Sequence, residues 1–105
     1  MRLESRTVLV PRARCSAEIE DRRLADCART GDVDAFGELV HRYCGVIFCL
    51  IRRRVGDPAE AERRTIEVFC ATWRELQHPE HAQRRFLGML SRAVTVNLAQ
   101  QRAQP

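Results

Sequence analysis

Lysine is missing from this chain of 105 residues: all 18 basic residues are arginine. The codon preference of a GC-rich genome is enough to explain that choice, so no chemistry is built on it. Long apolar runs are missing too. The run Gly45 to Ile51, for example, has seven residues, against the ~20 that a membrane-spanning helix needs. The patch between the arginines at the N-terminus, Thr7 to Val10, is too short for the apolar core of a secretory signal, so a cytoplasmic location is expected and no membrane partner. There is no CxxC pair among the five cysteines; an odd number of scattered thiols in such a chain reads as small buried hydrophobes. His41 and Cys44 share a helix face, as do His78 and His81, but neither pair has two further ligands at a suitable spacing, so no metal site and no cofactor are expected. A glycine-rich phosphate loop, GxSxG and HExxH are all absent, and the histidines lack partners for general-base work. The expectation is a binding module and not an enzyme.

No stretch alternates with period two long enough for a convincing strand. What is present instead is a rhythm of three and four. It is clearest from Val33 through Phe36, Leu39, Val40, Tyr43, Val46, Ile47, Leu50 and Ile51 to Val55, and predicts a helix of more than twenty residues. Asp32 caps its start, and Arg52-Arg53-Arg54 followed by Gly56 mark its end, where cations face the negative pole of the helix dipole. A second helix opens on Asp57-Pro58, with Glu60 placed to complete a capping box. Its inward stripe reads Glu62, Ile66, Phe69, Cys70, Trp73 and Leu76, leaving Glu60, Arg63, Arg64, Glu67, Arg74 and Glu75 outside. After the proline-broken Gln77–Gln83 stretch, a last helix is expected from Gln83 or Arg84 to about Arg102, with Phe86, Leu87, Leu90, Ala93, Val94, Asn97 and Leu98 inward. A short helix runs from Asp21 or Arg22 to about Arg29. Residues 1–20 read as a loosely held arm and 21–105 as the domain. The predicted fold is all-α, a compact bundle of three longer helices and one short N-terminal helix.

Charge is unevenly placed. Residues 56–77 hold three arginines and five acids, whereas residues 78–105 hold four arginines and one acid. An acidic helix followed by a basic one points to two partners of opposite charge.

With the helices placed, residues 21–102 resemble region 2 of bacterial RNA polymerase sigma factors of the extracytoplasmic-function group. The likeness rests on Leu24 with Ala28-Arg29, Gly31-Asp32, Ala35-Phe36, Leu39-Val40 and Tyr43. It continues through Gly56 to Glu62, Glu67-Val68-Phe69, Trp73-Arg74 and Asn97-Leu98-Ala99. The resemblance implies a helical domain that binds core RNA polymerase and the promoter −10 element in transcription initiation. The helix matching 57–76 would dock on the β′ clamp helices through Glu60, Glu62 and Glu67, with Arg63 in the same stretch. The Gln77–Gln83 loop, with Gln77 and His78, would take a flipped base of the non-template strand, and Arg84, Arg85, Arg92 and Asn97 would contact that strand. This chain departs from the family where acid-Leu-x-Gln-Glu is usual, reading Arg63-Arg64-Thr65-Ile66-Glu67. That cluster motivates an alternative: a degenerate region 2-like interaction module, engaging an anti-sigma factor as a decoy without initiating transcription.

Overall fold

The computed structural model describes residues 17–81 and 84–103. They form four α-helices: α1 (17–29), α2 (Val33–Val55), α3 (Pro58–Leu76) and α4 (Phe86–Ala103), with a 3-10 turn at Pro79–His81 before α4. No strand occurs among the described residues. The fold is the expected all-α bundle, three longer helices and a shorter one. The arm expected over residues 1–20 falls mainly on residues 1–16, outside the described region, as does the strand candidate at Thr7–Val10. Residues 17–20 are helical, because Glu20 pairs with Arg23 one turn on and the inward Asp21 is anchored to α2.

The helix ends follow from local chemistry. Asp32 Oδ1 accepts from Ala35 N at 3.2 Å to open α2, and Gly56, at φ 81°, closes it by donating to Arg52 O at 2.8 Å. Asp57 Oδ2 then accepts from Glu60 N at 3.2 Å, with Pro58 at the first helical position. Only this half of the capping box forms, since the Glu60 carboxylate turns to two arginines instead. The two-residue link folds α3 back along α2. α3 lies in the middle of the bundle and packs on both α2 and α4. α1 runs antiparallel to α2: near its start Asp21 meets Tyr43 and Arg42, and near its end Ala28 O accepts from Gln77 at the end of α3. The hydrogen bond to Asp21 and above all burial push the Tyr43 hydroxyl above its ordinary pKa.

The core draws Leu24, Ala25 and Ala28 from α1, Ala35, Leu39, Ile47 and Ile51 from α2, and Phe86, Met89 and Leu90 from α4, around Ala61, Val68, Phe69 and Leu76 of α3. Three stripes differ from expectation. On α3, Glu62, Ile66 and Cys70 are exposed, while Ala61, Arg64, Thr65, Val68 and Thr72 are buried. The buried face is turned by nearly one residue step, roughly 100° at 3.6 residues per turn. The reason is that two polar residues behave as small apolar ones. Thr65 and Thr72 donate their hydroxyls to Ala61 O and Val68 O, at 2.7 and 2.9 Å, within their own helix, so neither carries an unmet polar group into the core. On α4, Met89 is buried and Leu87 exposed; α4 begins at Phe86, two to three residues later than expected. Val33, Val46 and Leu50 of α2 also face outward.

Two glycine replacements separate backbone geometry from packing, because a Cβ at either position meets nothing within 4 Å. Gly56→Ala is expected to destabilise the domain by about 1 kcal/mol or more, since alanine is strained at positive φ. Gly37→Ala, inside α2, is expected to stabilise it by up to about 1 kcal/mol. Urea unfolding followed by circular dichroism checks both signs.

Candidate interaction site

Four side chains of α3 and one of α4 close into a ring. Arg63 Nη2 donates to Glu60 Oε2 at 2.7 Å and its Nη1 to Glu67 Oε2 at 2.6 Å. Arg64 Nε donates to the same Glu60 oxygen at 2.8 Å. Its Nη1 reaches across to Asn97 Oδ1 at 2.9 Å and Asn97 O at 3.2 Å. Asn97 Nδ2 returns to Glu67 Oε1 at 3.0 Å. The spacing on α3 makes this possible, because residues three and four apart are neighbours on one helical surface. Arg64 and Asn97 are 5% and 7% exposed, whereas Arg63 lies on the outer rim. The hydrogen bonds from Arg63 and then Arg64 hold the Glu60 carboxyl below the usual carboxylate range, and Glu60 in turn raises the Arg63 guanidinium.

The ring changes what α3 shows. Glu60 and Glu67 are each neutralised by arginines of their own helix, not by arginines of α4. Asp57 is spent on the cap, and Glu75 faces His81 Nδ1 and Arg84 Nη1, both at 3.4 Å. Glu62 is the remaining acid of α3: it is exposed and makes no ion pair among the described residues. The helix therefore offers little net negative charge, although its composition is acidic.

The expected strand-contact residues separate into three groups. Asn97 is withdrawn as a surface contact, because it is buried and its side chain is held at both ends by the ring. Gln77 is exposed, but its amide donates to Ala28 O at 3.1 Å and ties the end of α3 to α1. Arg84 pairs with Glu75, and its carbonyl accepts from Arg29 Nη2 at 3.0 Å. His78 is exposed, its ring centroid 5.4 Å from that of His81. Arg85 and Arg92 are exposed and make no ion pair among the described residues, as do Arg52, Arg53 and Arg54 at the end of α2. Part of the Gln77–Gln83 loop, residues 82–83, lies outside the described region.

Sequence reasoning missed two features. One is the inward turn of Arg64, whose signal was its place on the same 3–4 spacing as Ala61 and Val68, with Glu60 four residues before it. The other is an apolar groove of about 460 Å³ between α2 and α3, with Phe36, Val40, Ile66, Phe69, Cys70 and Trp73 among its walls. The rings of Phe36 and Trp73 meet edge to face at 5.0 Å in it. Ile66, 59% exposed, stands on its lip. Comparison of the chain with family models, with curated proteins and with solved structures found no match.

Two measurements test the ring. Asn97→Ala is expected to destabilise by about 1–3 kcal/mol, because it leaves the buried guanidinium of Arg64 short of a partner. In a double-mutant cycle with Arg64→Leu the two losses are expected to be non-additive by at least about 0.5 kcal/mol. Acid titration supplies the second. A carboxylate whose pKa is depressed by folding contributes stability above its unfolded pKa, and that contribution is lost as pH falls through the folded value. Unfolding curves from pH 6 down to 3 are therefore expected to fall more steeply in the parent than in Glu60→Gln.

Proposed function

We propose that this chain is a sigma-factor-like region 2 that binds core RNA polymerase and the opened promoter −10 element. The observation that carries the proposal is the pair of exposed arginines on and just before α4, Arg85 and Arg92, which have no acidic partner among the described residues, while the arginines of the α3 ring are neutralised. Guanidinium groups in this state suit the phosphates of a single strand and the faces of its unpaired bases. The order of helices, a long α2, a capped α3 and a basic α4, supports the same reading. In it, α3 meets the β′ clamp helices through Glu62, Ile66 and the lip of the apolar groove, and Arg85, Arg92 and His78 meet the non-template strand. The protein acts in the cytoplasm as a binding module without catalytic chemistry. No helix of the described residues is long and apolar enough to cross a membrane.

A second reading is favoured by one observation, the absorption of Glu60 and Glu67 into the ring. A region 2-like domain whose acids are internally neutralised would keep the shape and lose the polymerase contact, acting instead as a decoy for an anti-sigma factor. Retention of the folded protein on core polymerase, or on its β′ clamp fragment, tests the first reading, and absence of retention counts decisively against it. Introducing Arg63→Asp with Arg64→Leu discriminates further: a strong gain of retention supports the decoy reading, and no change supports the first.

For the nucleic-acid half, forked or single-stranded DNA is expected to bind better than intact duplex, with affinity falling steeply as salt rises. Arg85→Ala and Arg92→Ala should each lower the slope of log affinity against log salt by about 0.7 if each arginine contacts one phosphate. Fluorescence anisotropy at several salt concentrations reads both. Binding that ignores salt, or that prefers plain duplex, contradicts the proposal.

A further inference from the structure

The end of α2 carries a second basic surface, apart from the arginines of α4. Arg52, Arg53 and Arg54 are exposed and make no ion pair among the described residues. The acids next to them in the chain are engaged elsewhere, Asp57 in the cap of α3 and Glu60 with Arg63 and Arg64. Attraction to the negative pole of α2 accounts for cations in its last turn, but not for the hollow that two of them border. Phe48, Cys49, Arg52, Arg53 and Gly56 line a recess of about 400 Å³. Residues 48, 52 and 56 follow at four-residue spacing, as do 49 and 53, so the five form one strip along the helix. Half-buried Phe48 packs against the core and still gives part of its ring to the recess. Arg54, with the same charge, does not line it.

We infer that this recess is a single-stranded nucleic-acid site, with Arg52 and Arg53 on phosphates and a base stacked on Phe48. The combination of groups decides the class of ligand. An acidic peptide or a free phosphate would use the two guanidinium groups and leave the aromatic ring idle. A nucleotide strand offers both the charge and the flat π-face. The site does not rest on Arg85 and Arg92. Phe36 meets Trp73 at the end of the α2–α3 hairpin away from its link, while on α4 Arg84 meets Glu75 and Asn97 meets Arg64. Both neighbours of α3 thus run antiparallel to it, and Arg53 stands roughly 15–20 Å along the bundle from Arg92, at ~1.5 Å per residue. That is about five or six nucleotides at ~3.4 Å each, so a fifteen-nucleotide strand is long enough for both.

Fluorescence anisotropy of a labelled fifteen-nucleotide oligo-dT reads the site in the full chain, with the folding of each variant verified by circular dichroism. Arg52→Ala with Arg53→Ala is expected to lower the slope of log affinity against log salt by about 1.4, two phosphates at ~0.7 each, and Arg54→Ala by less than half of one such step. Phe48→Leu keeps an apolar side chain against the core and is expected to weaken binding about fivefold at unchanged slope, the loss of one base stack. With Arg85→Ala and Arg92→Ala in place, residual binding is expected, and it should vanish when Arg52 and Arg53 are replaced as well. If the Arg52/Arg53 and Phe48 variants bind as the parent does, the inference fails while the α4 reading stands. Loss confined to those variants, with Arg85 and Arg92 dispensable, supports the recess and sinks the α4 reading. An equal loss from Arg54→Ala, equally tight binding of a labelled poly-glutamate of the same charge, or no binding of the oligonucleotide by the parent would each overturn the inference.

Discussion

The buried guanidinium of Arg64 is the constraint on which the rest of the bundle depends. A charge withdrawn from water is tolerated only when it is paired and its hydrogen-bonding capacity is met. Here the partners come from two helices, Glu60 from α3 and both oxygens of Asn97 from α4. Because α4 contributes the asparagine, the rotation and register of α4 on α3 are set by the need to satisfy Arg64, and the apolar contacts of Phe86, Met89 and Leu90 fill in around that fixed point. A leucine at position 64 would pack there without demanding anything of α4. Arginine trades that indifference for a specified geometry, and its planar fork, unlike the single ammonium of a lysine, can address a carboxylate and an amide at once.

Much of the fold was legible because it is written in periodicity and punctuation. The caps at Asp32 and Asp57 and the glycine at 56 each have a local cause, and each held; the 3–4 rhythm of α2 gave the helix its extent, although Val33, Val46 and Leu50 of that stripe face outward. What failed is equally specific. A hydropathy pattern treats Thr65, Thr72 and Arg64 as outward residues. Yet the threonines meet their own needs within α3, and the arginine meets its needs across the bundle. Leu87 and Ile66 were placed inward by their apolar character alone, although helices facing two neighbours bury whichever side the neighbours occupy. At the site, Arg85 and Arg92 were legible as exposed cations. The fate of Asn97 was not, because it depends on residues thirty or more positions apart meeting in space, and Glu60 and Glu67 were read as free although Arg63 and Arg64 stand three and four residues away.

The two halves of the proposed function thus stand on different physical footing. Nucleic-acid contact would draw on arginines that make no ion pair among the described residues. Protein contact on α3 would draw on a surface whose charges are largely closed on themselves, leaving shape and apolar area around Ile66 and the α2–α3 groove as the principal recognition elements. Recognition of that kind depends less on ionic strength than the phosphate contacts do. Salt would therefore act on one partner far more than on the other.

Trp73 is the sole tryptophan of the chain, and it stands in the wall of that groove against the edge of Phe36. Its indole emission is consequently a built-in optical gauge of whatever enters there, needing no attached dye. Any molecule that slides between α2 and α3 must displace water from the one fluorophore whose colour records its surroundings.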